Sequence, residues 1–303
     1  MVEQHVIELR NVEKSRDRLK IGPLSLNFPQ GFVTAIVGEN GSGKSTFMGM
    51  CMGLLHPEQG EIRLFDQRYC DEQDVHIKQR IGFVPELPNT DDDDLTAEKL
   101  SKFIAYWQPN WDWQLYQRLM AKYDVPPKTK LNKMSKGMRR KLDIILALSH
   151  HPELLLLDEP SSGLDPLAWR TMIEELQQFM DQGEKGRSII IATHIIEEVK
   201  RLADYVLFMH KGRVLAFTEK DALFDSWKQF YVEGDAQDFS EVPGLAEAIQ
   251  ERQMVRLVAS DANRLEHFLH THDIVPLRTQ ALELDDILLY MIRVYEQGGV
   301  KER

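Results

Sequence analysis

The sequence predicts an α/β fold around a mostly parallel sheet, because two features recur along the chain. Three almost wholly apolar runs, at residues 32–37, 154–157 and 188–192, are typical of strands buried on both faces. A stretch with helical spacing follows each run. Strands that alternate with helices favour a parallel sheet covered by helices.

The composition of the chain excludes several classes of protein. A length of 303 residues with 43% hydrophobic residues is enough for one large domain or two smaller ones. The net charge of −11 argues against a surface that binds nucleic acid or anionic lipid. The two cysteines, Cys51 and Cys70, form no Cys-x-x-Cys pair, which argues against disulfide frameworks and zinc sites and fits a reducing cytosol. No apolar run reaches the length of a membrane span, so we expect any membrane role to require a partner.

Further strands and helices follow from the periodicity of the apolar residues. Residues 6–12 and 24–28 alternate apolar with polar, which predicts an antiparallel β subdomain. Residues 205–209 and 214–217 flank a short turn and predict a hairpin. Helical spacing over 95–107, 111–123 and 142–148 predicts a helical insertion at about 86–149.

A new series of predicted strands and helices begins after residue 217. We therefore predict one domain over 1–217 and a linker with a small α/β domain over 218–303. In the second domain we expect strands at 230–232, 254–259 and 274–277. We expect helices at 244–251, 262–270 and 283–294. This domain carries no recognisable chemistry, and a regulatory or dimerisation module is one interpretation of it.

A phosphate-binding motif follows the first buried strand. Residues 38–45 match G-x-x-x-x-G-K-[ST] and precede a helical run at 46–54. The glycines allow the backbone N–H groups to point at phosphate oxygens, Lys44 neutralises the β- and γ-phosphates, and Ser45 is a ligand for Mg²⁺. The predicted nucleotide-binding residues are Gly38, Glu39, Asn40, Gly41, Ser42, Gly43, Lys44, Ser45 and Thr46.

Two carboxylates follow the second buried strand, at the end where open parallel sheets bind their ligands. We expect Asp158 to hold Mg²⁺ through a water molecule. Glu159 is then placed to polarise the attacking water. Lys44, Glu159 and His194, discussed next, form the predicted catalytic set.

Three more motifs occur in the order found in one large family. They are Met-Ser-Lys-Gly-Met at 134–138, Ser-Gly-Leu-Asp at 162–165 and Thr-His at 193–194. As an ordered set over about residues 1–217, they make the chain resemble the ATP-binding cassette ATPases, with the P-loop nucleoside triphosphatase fold. The resemblance implies that Ser135 and Gly137 complete the nucleotide site of a second subunit in a head-to-tail dimer. It also implies that Asp165 belongs to the D-loop and that His194 donates to the γ-phosphate.

The sequence departs from the pattern of this family in three places. Glu86 stands where the family usually has a glutamine, and its carboxylate is still a candidate Mg²⁺ ligand, although an acid at the start of a helix is the alternative interpretation. Lys136 and Met138 replace the commoner glycine and glutamine of the signature motif. Residues 14–18 contain no aromatic ring to stack on adenine, so Arg16 or Arg18 would have to do so, and without such stacking we expect weak discrimination of ATP from GTP.

The helical insertion is rich in aromatic residues. We expect most of them to form its core and the others to dock a partner helix: Phe103, Tyr106, Trp107, Trp111, Trp113 and Tyr116. The acidic run at 91–94 is typical of a solvated loop.

The resemblance implies a Mg²⁺-dependent ATPase that requires ATP and Mg²⁺. Its partners would be a transmembrane permease and a second ATP-binding subunit, identical or different, and it would not bind nucleic acid. We therefore expect a cytoplasmic protein, peripheral on the inner face of the cell membrane, that drives an exporter of an antibiotic peptide or a lipid-like molecule. The alternative is a soluble cassette ATPase that acts in translation or DNA maintenance.

Overall fold

The structure, a computed structural model, describes residues 4–16, 19–69, 75–88, 94–182, 186–239 and 242–298. The chain divides into two compact units, Met1–Val214 and Leu215–Arg303. The strands are β1 (His5–Arg16), β2 (Leu19–Pro29), β3 (Val33–Val37), β4 (Gln59–Leu64), β5 (Gln67–Arg68), β6 (Ile81–Val84), β7 (Leu154–Asp158), β8 (Ser188–Ala192), β9 (Tyr205–His210), β10 (Arg213–Glu219), β11 (Lys228–Glu233), β12 (Leu245–Glu251), β13 (Met254–Ala259) and β14 (Arg278–Ala281). The helices are α1 (Lys44–Cys51), α2 (Val75–Gln79), α3 (Ala97–Trp107), α4 (Trp113–Lys122), α5 (Lys136–Leu148), α6 (Pro166–Asp181), α7 (Ile196–Leu202), α8 (Lys220–Ser226), α9 (Ala262–Thr271) and α10 (Leu284–Gly298).

A six-stranded sheet has the order β10-β9-β3-β8-β7-β6, and all of its strands except β10, in which the boundary between the units falls, belong to the first unit. Strand β3 pairs in parallel with β8 and β9, and β7 pairs in parallel with β6 and β8. Every residue of β3, β7 and β8 is buried, which confirms the three strands predicted from apolar runs. Strands β9 and β10 are neighbours, as the hairpin prediction requires. The parallel pairing brings the C-terminal ends of β3, β7 and β8 to one edge of the sheet.

A second, antiparallel sheet has the order β2-β1-β4-β5. Strand β1 pairs with β2 on one side and with β4 on the other, so the antiparallel β subdomain predicted from residues 6–12 and 24–28 is confirmed. The central strand β1 buries Val6, Ile7, Leu9 and Val12. Strands β4 and β5 were not predicted, because the polar residues of 59–68 give little alternation.

Three helices form the predicted insertion, and α5 is longer than the periodicity indicated. It begins at Lys136 because the Ser135 hydroxyl caps it and accepts a hydrogen bond from the Met138 N–H at 3.2 Å. The expectation that most of the aromatic residues are core is wrong, since four of the six are exposed: Phe103, Tyr106, Trp107 and Trp113. Helix α3 instead buries small or aliphatic residues on its inner side: Ala97, Leu100 and Ser101. Of the acidic run, 91–93 lie outside the described residues, and Asp94 is exposed.

The second unit contains a four-stranded antiparallel sheet in the order β12-β13-β11-β14. The predicted helix at 244–251 is wrong: Leu245–Glu251 is strand β12, paired with β13 across a tight turn at Arg252, whose φ is +55°. Pairing between strands outweighs the helix propensity of its Ala, Glu and Gln residues. The predicted strand at 274–277 is also wrong. The Ile274 N–H closes the end of α9 on the Leu269 carbonyl at 2.9 Å, and the strand follows at Arg278–Ala281.

None of the helices in the described part of the chain is both long and apolar enough to cross a membrane.

Candidate functional site: a triphosphate cavity

The phosphate-binding loop connects β3 to α1, and its lysine lies folded over it. Lys44 Nζ donates hydrogen bonds to the carbonyl oxygens of Gly38, at 2.7 Å, and Glu39, at 3.2 Å. Burial lowers the pKa of the Lys44 ammonium, and the surrounding carboxylates, Glu159 first, act against that shift. The loop thus holds one cation beside a helix N-terminus, an arrangement that attracts a polyanion.

Glycine is required at position 38 by close packing. A Cβ atom there would lie 2.2 Å from the main-chain oxygen of Met209 on β9. At Gly41 the backbone is left-handed, with φ +79°, and a Cβ would meet no atom within 4 Å, so this part of the loop faces open space. The loop therefore packs on the sheet at one end and opens toward a ligand at the other.

Replacing Gly38 by Ala is expected to lower the free energy of unfolding by about 1–3 kcal/mol, since the Met209 carbonyl belongs to the rigid sheet. Urea denaturation would measure the loss. Gly49→Ala is the matched control, because its Cβ would meet only the flexible Leu55 side chain, at 3.1 Å. Equal effects of the two substitutions would contradict the packing argument.

Oxygen atoms suited to a hard cation converge beside the lysine. Ser45 Oγ donates to Glu86 Oε2 at 3.2 Å. Burial raises the pKa of Asp158 to about 6, which the nearby Ser45 hydroxyl opposes. Asp158 Oδ1 is buried without a hydrogen-bond partner among the described residues. The hydroxyl and carboxylate donors fit Mg²⁺, the hard cation that such oxygens prefer.

These residues do not make a complete metal cage by themselves. Among the described residues, no group of three His, Cys, Asp or Glu side chains is arranged to hold a metal ion. A Mg²⁺ ion at this place would take its other ligands from water and phosphate oxygens, as is usual for this ion.

Glu159 and His194 come from neighbouring strands and contact each other. Glu159 follows β7 and His194 follows β8, and Glu159 Oε2 lies 2.7 Å from His194 Nδ1. The Glu159 backbone has φ +48° and is held by its N–H, which donates to the Ala192 carbonyl at 2.9 Å. Glu159 is buried, whereas the His194 side chain is 65% exposed. In this pair a buried carboxylate therefore contacts an imidazole ring that is exposed to solvent.

A cavity of about 220 Å³ gathers half of the predicted residues. Its lining consists of Leu19, Asn40, Gly41, Gly43, Lys44, Ser45, Thr46, Glu86 and Glu159. Leu19 was not among the predicted residues, and it lies just beyond residues 14–18, where the sequence lacks an aromatic ring to stack on adenine. Of the two arginines considered there, Arg16 is exposed and Arg18 lies outside the described residues. The side chain from this part of the chain that lines the cavity is therefore aliphatic and not aromatic.

The signature residues do not line this cavity. Ser135 is exposed at the start of α5, and Gly137 packs on the loop after Glu159, where a Cβ would lie 2.4 Å from the Gly163 oxygen. Lys136 Nζ donates to Ser162 Oγ at 2.8 Å. Within one chain, the signature motif therefore contacts the predicted D-loop rather than the phosphate-binding loop.

Asp165 caps α6, accepting hydrogen bonds from the backbone N–H groups of Leu167 and Ala168. These bonds, that of Ala168 first, lower the pKa of its carboxyl. Its other oxygen lies 3.1 Å from Lys141 Nζ.

Arg140 supports the site and was not among the predicted residues. Its side chain is buried, and its guanidinium donates to the main-chain oxygens of Pro85 and Glu86. This contact fixes the loop that carries Glu86. The signal available in the sequence was an arginine within the apolar spacing of a helix, where a charge requires partners.

Comparisons with known proteins agree with this arrangement. A family model described as ABC transporter matches residues 21–162. The Nod factor export ATP-binding protein I of Burkholderia orbicola (strain AU 1054) is 35% identical over 227 residues, which are 73% of each chain. The chain belongs to the ABC transporter family.

One more relative and one solved structure are similar to this ABC ATP-binding subunit. The bacitracin transport ATP-binding protein BcrA of Bacillus licheniformis is 33% identical over 63% of this chain and 62% of its own. A solved structure of an ATP-binding subunit of an ABC transporter is 26% identical, with a TM-score of 0.64 over 72% of this chain and 91% of the other. The predicted P-loop fold is thereby confirmed, and the subunit is an ATPase of this family.

Proposed function

We propose that this ABC subunit hydrolyses ATP in the cavity around Lys44, with Glu159 as the general base. The observation that carries the proposal is the convergence of a buried ammonium, a hydroxyl and three carboxylates, from three separate segments, at one edge of the parallel sheet. Phosphoryl transfer needs positioning and charge neutralisation more than covalent chemistry, and this set supplies both.

Each group in the cavity has a separate task in this scheme. The loop N–H groups and Lys44 bind the triphosphate, while Ser45, Asp158 and Glu86 hold Mg²⁺, which offsets phosphate charge when bound. Glu159 accepts a proton from the attacking water. The protonated ring of His194 donates to Glu159 through Nδ1, at 2.7 Å, and to the γ-phosphate through Nε2.

We further propose that ATP joins this subunit to a second ATP-binding subunit in a head-to-tail dimer. Ser135 and Gly137 lie outside the cavity of their own chain, yet the exposed start of α5 offers a helix N-terminus and a hydroxyl that suit an anion. A partner's triphosphate is the anion we assign to it, and the D-loop with Asp165 would lie beside the same interface.

We also propose that the dimer drives a separate membrane permease from the cytoplasmic side, as the subunit of an exporter. The relatives named for Nod factor export and bacitracin transport support this proposal. An antibiotic peptide or a lipid-like molecule is the substrate class we propose. The exposed aromatic patch on α3, formed by Phe103, Tyr106 and Trp107, is the surface proposed for the permease.

Affinity purification of the tagged Glu159→Gln chain from detergent-solubilised membranes, with ATP and Mg²⁺, is expected to recover a polytopic membrane protein. Trp107→Ser, which removes an exposed aromatic ring of the patch, should reduce that recovery. Leu289→Ser is the control, since Leu289 is an exposed apolar side chain on α10. Mass spectrometry identifies the captured proteins. Recovery of ribosomal or DNA-bound proteins alone would instead support a soluble cassette ATPase.

A further inference from the structure

Glu198 on α7 is a buried carboxylate without a role in the scheme above. Its side chain has no exposed surface, and Trp169 Nε1 on α6 donates to its Oε1 at 3.2 Å. Burial raises the pKa of its carboxyl. Burying an ionisable group costs free energy unless the group is hydrogen-bonded. We therefore expect the carboxyl oxygens of Glu198 to interact with neighbouring polar groups.

Two hydroxyl groups from the catalytic loops face this carboxylate. Ser161 lies two residues after Glu159, and Thr193 directly precedes His194. Both hydroxyls lie near enough to Glu198 to lower its pKa against the effect of burial. Glu198 Oε2 and Ser161 Oγ are both buried, and neither has another hydrogen-bond partner within the part of the chain that the structure describes.

One of these loops has a left-handed backbone and the other carries an exposed ring, and both features depend on support from their surroundings. Glu159 has a left-handed backbone, with φ +48°, a conformation that persists only where the surroundings maintain it. The His194 side chain is 65% exposed, so packing does little to orient its ring. Their mutual hydrogen bond depends on both loops keeping their places.

We propose that Glu198 is a positioning residue, which ties the Ser161 loop to the Thr193 loop and so keeps Glu159 and His194 in register for hydrolysis. It does not touch the substrate. The inference rests on the roles proposed above for Glu159 and His194, and α6 takes part through Trp169.

The test separates the chemical step from ATP binding and from stability. Glu198→Ala is expected to lower kcat about 10²-fold, as loss of alignment does, while the Kd for ATP stays close to that of the wild type. Glu198→Gln should restore most of kcat, because its amide can accept from Trp169 and still reach the hydroxyls. Trp169→Phe, which removes the N–H donor, should give an intermediate kcat. This variant replaces Glu198→Ala in the test if Glu198→Ala does not fold.

Glu175→Ala is the matched control. Glu175 is also a buried acid, on α6, but it pairs with Arg118 and Lys122, at 2.9 Å from each. We expect this variant to lose stability and to keep kcat. A wild-type kcat in both Glu198→Ala and Trp169→Phe would overturn the inference, as would equal losses of kcat in Glu198→Ala and Glu175→Ala. Normal hydrolysis by Glu159→Gln would overturn the proposed function instead, so the two failures are distinguishable.

Discussion

Replacing Glu159 by Gln should abolish ATP hydrolysis and leave ATP binding intact. The amide keeps the size of the side chain but cannot accept the proton of the attacking water, and general-base catalysis contributes about 10²–10⁴-fold to such a rate. Lys44 and the loop N–H groups, to which we assign triphosphate binding, are unchanged. We therefore expect phosphate release to stop and an ATP-bound dimer to accumulate, measured by steady-state hydrolysis, nucleotide binding and light scattering.

Glu153→Gln provides the matched control for this substitution. Glu153 lies just before the opposite end of β7, where it pairs with Arg80 at 2.7 Å, far along the strand from the cavity. Its loss should leave kcat unchanged. If Glu159→Gln hydrolysed ATP at the normal rate, Glu159 would have no part in the mechanism.

The parts of the fold that could be predicted from the sequence are those fixed by local pattern. The short apolar run at 154–157 is typical of a strand buried inside a sheet, and the phosphate-binding motif after β3 predicts both its loop and its helix. The same local patterns explain why Glu159 and His194 meet. Both residues follow buried parallel strands, and β7 pairs directly with β8.

The features that were predicted wrongly or not at all depend on contacts between residues that are far apart in the chain. Strand β12 has helix-forming residues and becomes a strand because β13 pairs with it. Arg140 serves the site through carbonyl groups more than fifty residues away, which no spacing rule reveals. The exposed aromatic rings of α3 have helical spacing, but spacing alone does not say which side of a helix meets the core.

Replacing Ser135 by Asp should lower ATP hydrolysis about 10²-fold or more if Ser135 faces the triphosphate bound by a second subunit. Aspartate caps a helix as well as serine does, so α5 should keep its start and the fold its stability. A carboxylate next to the γ-phosphate costs several kcal/mol, because two like charges would meet in the closed dimer. The measurement is hydrolysis together with ATP binding to the monomer, which should be unchanged.

Thr96→Asp is the matched control, since Thr96 caps α3 in the same way, with its hydroxyl 3.3 Å from the Lys99 N–H. It should leave hydrolysis unaffected. Mixing Ser135→Asp with Glu159→Gln then decides where Ser135 acts. In a head-to-tail homodimer of the two, one site carries both substitutions and the other carries neither, so the mixture should recover part of the activity that each variant lacks alone. If Ser135 acted within its own chain, every site of the mixed dimer would be damaged once and no activity would return.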